Sequence, residues 1–400
     1  MRGRTQTGGA WRAVFSSLRF LLVLWAVCTV AVAETLREAA DGVGVLVGAA
    51  LHRDFIVDPD SISPEYRRIA ATEFNVYVAE NCFKMASLLR DRPADPFAIR
   101  VEDLHTRPID SLVAIARENG VKRIRGHALI WHDSMPAWLR DEVAEWDSGQ
   151  VLAFAESYIT AVLGYCRRHA PVIYEWDVIN EILTADGFRK GTWYDAVGDK
   201  QAFIDACFRT ARAADPEDRL IYNDYGIELH GPAHGKTNRM LEMARGMVGR
   251  GVPIDGIGLQ AHFTGPDAGG AGGFSEAAAT AFGQTFAKLA ELGLDGIVTE
   301  LDLRLPTDQD DSEGGVTAVQ LAMQGEQYER IVATALAQPN CPGVLIWGIS
   351  DARSWVPRFF VGMGHALPFD AAYRKKPAYH GVRTAIEHAP ARGGIIDPRR

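Results

Sequence analysis

The chain has 400 residues, of which 47% are hydrophobic and 23% are charged, and its formal net charge is −9. These values are ordinary for a folded soluble protein and leave room for one large α/β domain or two smaller ones. Because the sequence has no basic block and no basic stripe interleaved with aromatic residues, nucleic acid is not an expected partner.

The first 33 residues predict a secretory signal peptide. Four arginines precede the apolar run FLLVLWAVCTVAVA, which ends in Ala31-Val32-Ala33. A basic start, a short apolar run and an A-x-A exit are typical of an exported chain, and 14 residues are few for a membrane span. An uncleaved anchor is the alternative. We expect a secreted or periplasmic protein that does not stay at the membrane once the signal is removed.

Removing this segment changes the charge and the cysteine content. The net charge falls from −9 to about −13, so the exported chain is not expected to seek an acidic polymer. The cysteines that remain are Cys82, Cys166, Cys207 and Cys341. Four cysteines in an exported chain allow three disulfide connectivities, but none lies in a C-x-x-C motif. We interpret them as structural or free thiols.

Short apolar segments recur along the rest of the chain, and longer amphipathic segments separate them. The predicted strands are, in order, VGVLVGAALH, FNVYVAEN, IRGHALIWH, IYEWDVINE, RLIYNDY, IDGIGLQAH, DGIVTELD and GVLIWGISD. The helical patterns are SLVAIARENG, VLAFAESYITAVLGYC, AFIDACFRTARAA, NRMLEMARGMVGRG, FSEAAATAFGQTFAKLAELG and QGEQYERIVATALAQ. Alternating strands and helices predict βαβ units with a parallel sheet.

Eight such strands within the length of one domain predict the α/β class and a single (β/α)8 TIM barrel. A doubly wound open sheet is the alternative, but no G-x-G-x-x-G follows any strand. We assign residues 34–388 to the barrel, residues 265–273 to a glycine-rich loop insertion and residues 389–400 to a flexible C-terminal tail.

Polar residues collect where the predicted strands end. They are Glu80-Asn81 after strand two, His127 and Trp131-His132 after three, Asn180-Glu181 after four, Asn223-Asp224 after five, Gln260 and His262 after six, Glu300 and Asp302 after seven, and Trp347 and Asp351 after eight. Active sites of such barrels lie at the C-terminal ends of the strands. The pattern therefore predicts one site built from many strand ends.

The residue types at these strand ends favour one kind of chemistry over several others. The histidines His127, His132 and His262 have no H-x-H or H-E-x-x-H spacing, which argues against a metal centre. No G-x-S-x-G motif supports a serine hydrolase, and no strand-end lysine or phosphate-binding loop supports Schiff-base or phosphate chemistry. Two strand-end glutamates, Glu181 and Glu300, among tryptophans favour cleavage of a glycosidic bond.

The chain resembles the retaining endo-β-1,4-xylanases of glycoside hydrolase family 10. The motifs that carry the resemblance are FNVYVAENCFK, RGHALIWH, WDVINE, YNDY, DGIGLQAH, TELD, WGISDARSW and PFDAAYRKKPAY, in family order over about Val45 to Val382. The resemblance implies Glu181 as acid/base and Glu300 as nucleophile, whereas the residues alone identify both carboxylates without assigning their roles. We expect no cofactor and no metal.

The resemblance also implies roles around the two glutamates. Asn180 would hold the 2-hydroxyl of the cleaved sugar, Gln260 would orient the acid/base, and His262, with Asp302 behind it, would brace the nucleophile. The remaining predicted substrate-binding residues are His127, Lys84, Trp347 and Trp355 around the cleaved sugar, and Glu80, Asn81 and Trp131 around the next sugar.

Three residues depart from the family pattern. Met85 stands where tryptophan or proline is usual, Ser134 replaces a common glutamine, and Gly226 replaces a common asparagine. The change at Ser134 concerns sugars on the non-reducing side, and the change at Gly226 concerns the leaving side. The departures leave the predicted catalytic pair untouched.

The expected substrates are xylan and xylo-oligosaccharides, and we expect a monomer. Two alternatives stay open. One is a related barrel glycosidase that acts on β-glucan or aryl β-glycosides. The other is a xylan-binding protein that has lost catalysis, although the presence of both glutamates argues against it.

Overall fold

The computed structural model describes residues 35–191, 193–307 and 315–392. The predicted signal peptide lies outside the described residues, as do residues 393–400 of the predicted tail. The assignment of these two end segments therefore stays a prediction.

Eight parallel strands form a closed barrel. They are β1 Leu46–Leu51, β2 Val76–Ala79, β3 Arg123–Gly126, β4 Ile173–Asn180, β5 Arg219–Asp224, β6 Gly256–Leu259, β7 Asp295–Pro306 and β8 Gly343–Ile346. Each strand pairs with the next in the chain, and β8 returns to pair with β1. The predicted (β/α)8 barrel is confirmed, and the open sheet is wrong.

Each strand is followed by a helix that packs outside the barrel. These helices are α1 Pro64–Glu73, α2 Arg107–Glu118, α3 Ser148–Cys166, α4 Lys200–Ala214, α5 Gly235–Gly249, α6 Glu276–Ala290, α7 Ala318–Leu336 and α8 Pro377–Glu387. Their starts follow local capping chemistry: Asp147 and Gln150 form a capping box on α3, and Thr317 and Gln320 form one on α7. No helix in the described part of the chain is long and apolar enough to cross a membrane.

Shorter elements occupy the connections. The helix Leu36–Val43 precedes β1, and short helices span Arg53–Val57, Met85–Leu88, Ala137–Glu142, Trp193–Ala196 and Val356–Phe359. Short 3-10 turns cover Pro59–Ser61, Val101–Asp103, Val143–Glu145, Arg167–His169 and Asp351–Arg353, and short strands cover Ile130–Trp131, Leu183–Thr184, Gly187–Phe188, His262–Thr264 and Met363–Gly364. Most of these elements lie after the C-terminal ends of the barrel strands, where they enlarge the predicted site.

The barrel interior combines an apolar layer with a charged one. The apolar cluster consists of Leu46, Ala50, Val76, Val78, Tyr174, Ile221, Ile297, Leu345 and Trp347. Beside it, Arg125 forms ion pairs with both Glu175 and Asp177. Arg219 lies 3.6 Å from Glu175 and 2.7 Å from Asp295. Because buried charges are costly unless they are paired, this layer fixes the relative positions of β3, β4 and β5.

The cysteines outside the predicted signal peptide are buried free thiols, which confirms one of the two interpretations offered above. Burial raises the pKa of Cys82 to about 11 and that of Cys341 to about 12. Thiols with raised pKa values in apolar surroundings are unreactive.

Candidate active site

Glu181 follows directly after the last residue of β4. Its φ angle is 58°, in the left-handed region that residues other than glycine rarely adopt. The Glu181 amide donates to the Asn223 carbonyl at 2.9 Å, and its carbonyl accepts from Arg189 Nε at 2.8 Å. These bonds hold a strained backbone that sets the direction of the carboxylate, and such strain is concentrated at functional sites.

Glu300 lies on β7 and is only 4% exposed. Its Oε1 atom accepts from Asn223 Nδ2 at 2.7 Å, and its Oε2 atom lies 3.3 Å from His262 Nε2. His127 Nδ1 lies 3.9 Å from Oε1. Both carboxylate oxygens therefore have polar partners, as a buried charge requires.

A network of side-chain amides connects the two glutamates. Gln260 Nε2 donates to Glu181 Oε1 at 3.0 Å and lies 3.3 Å from Asn180 Oδ1. Asn223 Nδ2 donates to Asn180 Oδ1 at 2.9 Å and to Glu300 at 2.7 Å. Asn180 Nδ2 in turn contacts Glu181 Oε1 at 3.2 Å. The two carboxylates from opposite sides of the barrel thus belong to one hydrogen-bonded unit.

The charge of Glu300 is fixed by its basic neighbours. Burial alone would raise the pKa of Glu300, but the charges of His127, His262 and Lys84 outweigh it and lower the value to about 2. Burial would likewise lower the pKa of His262, but Asp302 and Glu300 raise it to about 10. The glutamate is therefore ionised and the histidine protonated over the whole neutral range.

Asp302 anchors His262 from behind. His262 Nδ1 lies 2.9 Å from Asp302 Oδ2, and Trp355 Nε1 donates to the same oxygen at 2.8 Å. Because Asp302 is fully buried, its charge acts on the imidazole with little screening by solvent. The arrangement matches the bracing role that the resemblance implies for these residues.

Aromatic and cationic side chains wall the space beside Glu300. The Lys84 ammonium lies 4.6 Å from the centre of the Trp131 ring and 5.9 Å from that of Trp347. The His127 ring meets Trp347 edge-on at 5.1 Å, and His262 meets Trp355 at 5.0 Å. Indole faces of this kind bind the apolar faces of pyranose rings.

One end of this wall is polar. Asn81 Nδ2 donates to Glu80 Oε1 at 3.1 Å, and Lys84 Nζ donates to Asn81 Oδ1 at 3.0 Å. Burial raises the pKa of Glu80, although His52 and Lys84 oppose the shift. The structure thus brings every predicted site residue into one connected network, while their individual roles stay predictions.

Two residues of the network were given no role by the sequence analysis, although Asn223 was named there as a polar residue at a strand end. Asn223 bridges Asn180 and Glu300, and Thr299 fixes it by donating to its Oδ1 atom at 2.7 Å. Asp177 Oδ2 lies 2.8 Å from His127 Nδ1 and connects the site to the charged layer of the barrel. The acids at positions 175 and 177 within an otherwise apolar strand were the signal in the sequence.

The three departures lie around the site rather than inside the pair. Met85 is buried at the start of a short helix. Ser134 has a φ of 51°, and its carbonyl accepts from the Ala86 amide at 2.8 Å. Gly226 has a φ of 67°, a conformation that asparagine also tolerates, which accounts for the asparagine common in the family.

Comparison with known proteins decides the family. Residues 35–385 match Glycosyl hydrolase family 10. The chain belongs to this family. Endo-1,4-beta-xylanase B of Thermotoga neapolitana is 33% identical over 353 residues, which cover 88% of this chain and 91% of the relative. Endo-1,4-beta-xylanase A of Fusarium oxysporum f. sp. lycopersici is 36% identical over 70% of this chain and 80% of its own.

Solved structures of the family agree with the fold. Xylanase 10B from Thermotoga petrophila RKU-1, in complex with xylobiose, has a TM-score of 0.75 and 30% identity, covering 89% of this chain and 98% of its own. Native xylanase 10B from Thermotoga maritima has a TM-score of 0.74 and 31% identity, covering 88% and 98%. The sequence-based assignment to the family is therefore confirmed.

His262→Asn should change the pH dependence of this family member. Loss of the positive charge beside Glu300 should raise the pKa of that carboxylate. Because the predicted nucleophile must be ionised, the acidic limb of log kcat/KM should move to higher pH between about pH 3 and 7. Trp355→Phe is the matched control, since it removes a donor to Asp302 and leaves the His262 charge in place. An acidic limb that is the same in both variants would contradict this explanation.

Proposed function

We propose that the chain is an endo-1,4-β-xylanase that hydrolyses internal β-1,4-xylosidic bonds of xylan with retention of configuration. The observation that carries the proposal is the unit in which Asn180, Asn223 and Gln260 join Glu181 to Glu300. It supplies two carboxylates in different surroundings, as retaining glycosidases require. The family match and the xylanases among the relatives support the same substrate.

In the first step, an ionised Glu300 oxygen attacks the anomeric carbon as the bond to the leaving sugar breaks. Glu181 gives its proton to the departing glycosidic oxygen, so the leaving chain departs as a neutral alcohol. The positive charges around Glu300 keep it in the ionised, attacking form. The product is a glycosyl ester on Glu300 and an ionised Glu181.

In the second step, Glu181 removes a proton from water, and the resulting oxygen attacks the same anomeric carbon. The ester bond to Glu300 breaks, and its electron pair returns to the carboxylate. Gln260 donates to Glu181 Oε1 at 3.0 Å and so holds the acid/base in position through both steps. Two inversions at one carbon give overall retention.

The walls of the site account for the choice of a sugar chain. Trp131, Trp347 and Lys84 surround the space beside Glu300, and Glu80 and Asn81 extend it as a polar rim. Indoles suit the faces of pyranose rings, while the amide and carboxylate suit equatorial hydroxyls. We assign Lys84 and Trp347 to the sugar being cleaved, and Trp131 with the polar rim to the next sugar on the non-reducing side.

Product analysis tests this proposal against its two alternatives. Xylan, mixed-linkage glucan and cellulose are digested side by side, and we expect xylo-oligosaccharides from xylan as the main reaction. NMR of the first product should show the β-anomer, since the reaction retains configuration. Preferred cleavage of glucan, an α-configured first product, or binding of xylan without cleavage would each contradict the proposal.

We also propose that the enzyme is exported, acts as a monomer and needs no cofactor. Support for export is the basic, then apolar, then A-x-A pattern of residues 1–33. N-terminal sequencing of protein recovered outside the cytoplasm should begin near Glu34. A mature protein that keeps the apolar run would instead indicate an anchor.

A further inference from the structure

A groove of about 500 Å³ lies beside Asn81, at the polar rim of the predicted substrate site. Its walls come from the connections that follow β1, β2 and β3, so it opens on the same face of the barrel as the two glutamates. Its volume is within the range of ordinary small-molecule sites. Since Asn81 belongs to both, the groove continues the substrate site on its non-reducing side.

The groove is lined by three exposed arginines, Arg53, Arg90 and Arg107, and by no acidic residue. Within the described ranges of the chain, none of the three forms an ion pair or a side-chain hydrogen bond. Nearby arginines behave differently: Arg92 pairs with Glu142 at 2.6 Å, and Arg353 pairs with Asp54 at 3.1 Å. The three lining guanidinium groups therefore keep their full hydrogen-bonding capacity for a ligand.

Two further observations point to a positive potential in the groove. Burial lowers the pKa of His105, which also lines the groove, and the charges of Arg90 and Arg107 lower it further, against the opposing charge of Asp91. Arg107 is the first residue of α2, where a positive charge opposes the helix dipole. Local helix stability therefore does not explain an arginine at this position.

Two of the acids near the groove already have other partners. Asp54 is shared between Arg353 at 3.1 Å and His52 at 3.5 Å. Glu80 accepts from Asn81 and lies in the substrate site itself. The groove is thus a local positive region on a chain whose overall net charge is −9.

We propose that this groove binds the carboxylate of an acidic sugar branch carried by the polysaccharide, so that the enzyme favours xylan bearing uronic acid side groups. This inference rests on the proposed function. The main chain of xylan is neutral, so an acidic branch is the group on such a substrate that three arginines can recognise. Arginine suits the task because its planar fork pairs with both oxygens of a carboxylate.

The position of the groove defines which sugar carries the branch. The cleaved sugar lies beside Glu300, and Asn81 contacts the next sugar on the non-reducing side. A branch that reaches the groove must therefore leave the chain at that sugar or at the one beyond it. Branched products should then carry the acidic group at a fixed distance from their new reducing end.

The test compares three oligosaccharides of equal backbone length. The first is linear, the second carries one glucuronic acid branch, and the third carries the same branch with its carboxyl group reduced to an alcohol. The ratio of kcat/KM for the second and third substrates isolates the carboxylate. We expect a ratio of about five or more at low salt, which falls as salt screens the exposed pairs. The preference should lie mainly in KM, since the contact is remote from the bond that breaks.

Arg107→Glu and the triple variant Arg53→Ala/Arg90→Ala/Arg107→Ala should bring this ratio close to one. Because the ratio is taken within each variant, any general loss of activity or folding cancels. Arg117→Ala is the matched control, since Arg117 is exposed on the same helix and does not line the groove. A ratio near one in the natural enzyme, or a ratio unchanged in both arginine variants, would overturn the inference.

The linear oligosaccharide separates the two proposals. Cleavage of the linear chain together with a charged-to-uncharged ratio near one would overturn the groove alone. Failure to cleave the linear chain would remove the proposed function and this inference with it.

Discussion

Glu300→Gln is expected to lower kcat/KM on xylan by roughly 10⁴- to 10⁶-fold, the scale seen when a catalytic nucleophile is removed. Glutamine keeps the size of the side chain and an oxygen that accepts from Asn223, but it cannot form the glycosyl ester. The loss should be equally severe for aryl glycosides with good leaving groups, because attack on the anomeric carbon fails for both kinds of substrate. Steady-state rates on xylan and on an aryl xylobioside measure it.

Glu73→Gln is the matched control for this substitution. Glu73 is also buried, but it accepts from the Leu36 amide at 2.9 Å and from the Tyr379 hydroxyl at 2.9 Å, away from the site. It should change stability rather than the chemical step. A Glu300→Gln enzyme that retains more than about a hundredth of the natural rate would contradict the nucleophile assignment, because a single remote contact accounts for losses of that size.

Glu300→Gln should also alter how the free energy of unfolding depends on pH. The folded-state pKa of Glu300 is about 2, below the value of about 4.3 expected in the unfolded chain. Its ionisation therefore stabilises the fold above pH ~4.3, and this contribution is lost as the pH falls towards 2. The protonated His262, with a pKa of about 10, stabilises the fold below pH ~6.5 and loses that contribution as the pH rises through 10. Both contributions are therefore fully present between pH ~4.3 and pH ~6.5, where the ion pair supports the fold most strongly.

The architecture was readable from the sequence because barrel strands are buried on both faces. Continuous apolar runs such as those around β2 and β6 stand out against helices with an apolar stripe. Helices α1 and α8 were absent from the predicted patterns. α1 begins with a Ser63 cap and Pro64, which are clear signals, but its buried stripe is short and interrupted by arginines. A weak periodic signal was therefore missed although the cap was present.

The location of the site was also predictable, but the hydrogen bonds that connect its residues were not. Polar residues at strand ends indicate a shared face, since parallel strands bring those ends together. The contact of Asn223 with Asn180 depends on the register of β5 against β4, where the two residues are direct partners. The whole of α4 separates these strands in the chain, and local sequence does not set the register across it. The bridging role of Asn223 therefore required coordinates.

The strained backbone of Glu181 and the local surface charge could not be predicted from the sequence either. Nothing in WDVINE indicates that Glu181 adopts a φ of 58°, because the conformation depends on bonds to Asn223 and Arg189 from elsewhere in the chain. The overall charge of −9 predicted no attraction to an acidic polymer, yet three well-separated arginines meet in one groove. Net charge describes the average surface, whereas recognition depends on the local arrangement.

Glu181→Ala is expected to separate the two halves of the reaction. Xylan has a poor leaving group that needs a proton, so its cleavage should fall by roughly 10²- to 10⁴-fold, the usual contribution of general acid–base catalysis. An activated aryl xylobioside needs no proton to depart, so its first step should stay fast while hydrolysis of the glycosyl enzyme becomes slow. A burst of the aryl alcohol followed by slow turnover should therefore appear in rapid-mixing measurements.

Added azide tests the role of Glu181 more directly in the same Glu181→Ala variant. A small anion needs no general base, and removal of the Glu181 carboxylate leaves it both space and a less repulsive field beside the anomeric carbon. Added azide should then accelerate the slow second step and give a xylobiosyl azide of β-configuration, because Glu300 still holds the opposite face of the sugar. Glu242→Ala, which removes an exposed glutamate on α5, should show neither the burst nor the azide product. If the aryl substrate loses its first step as severely as xylan does, or if azide leaves the rate unchanged, Glu181 does not act as the acid/base and another group must protonate the leaving sugar.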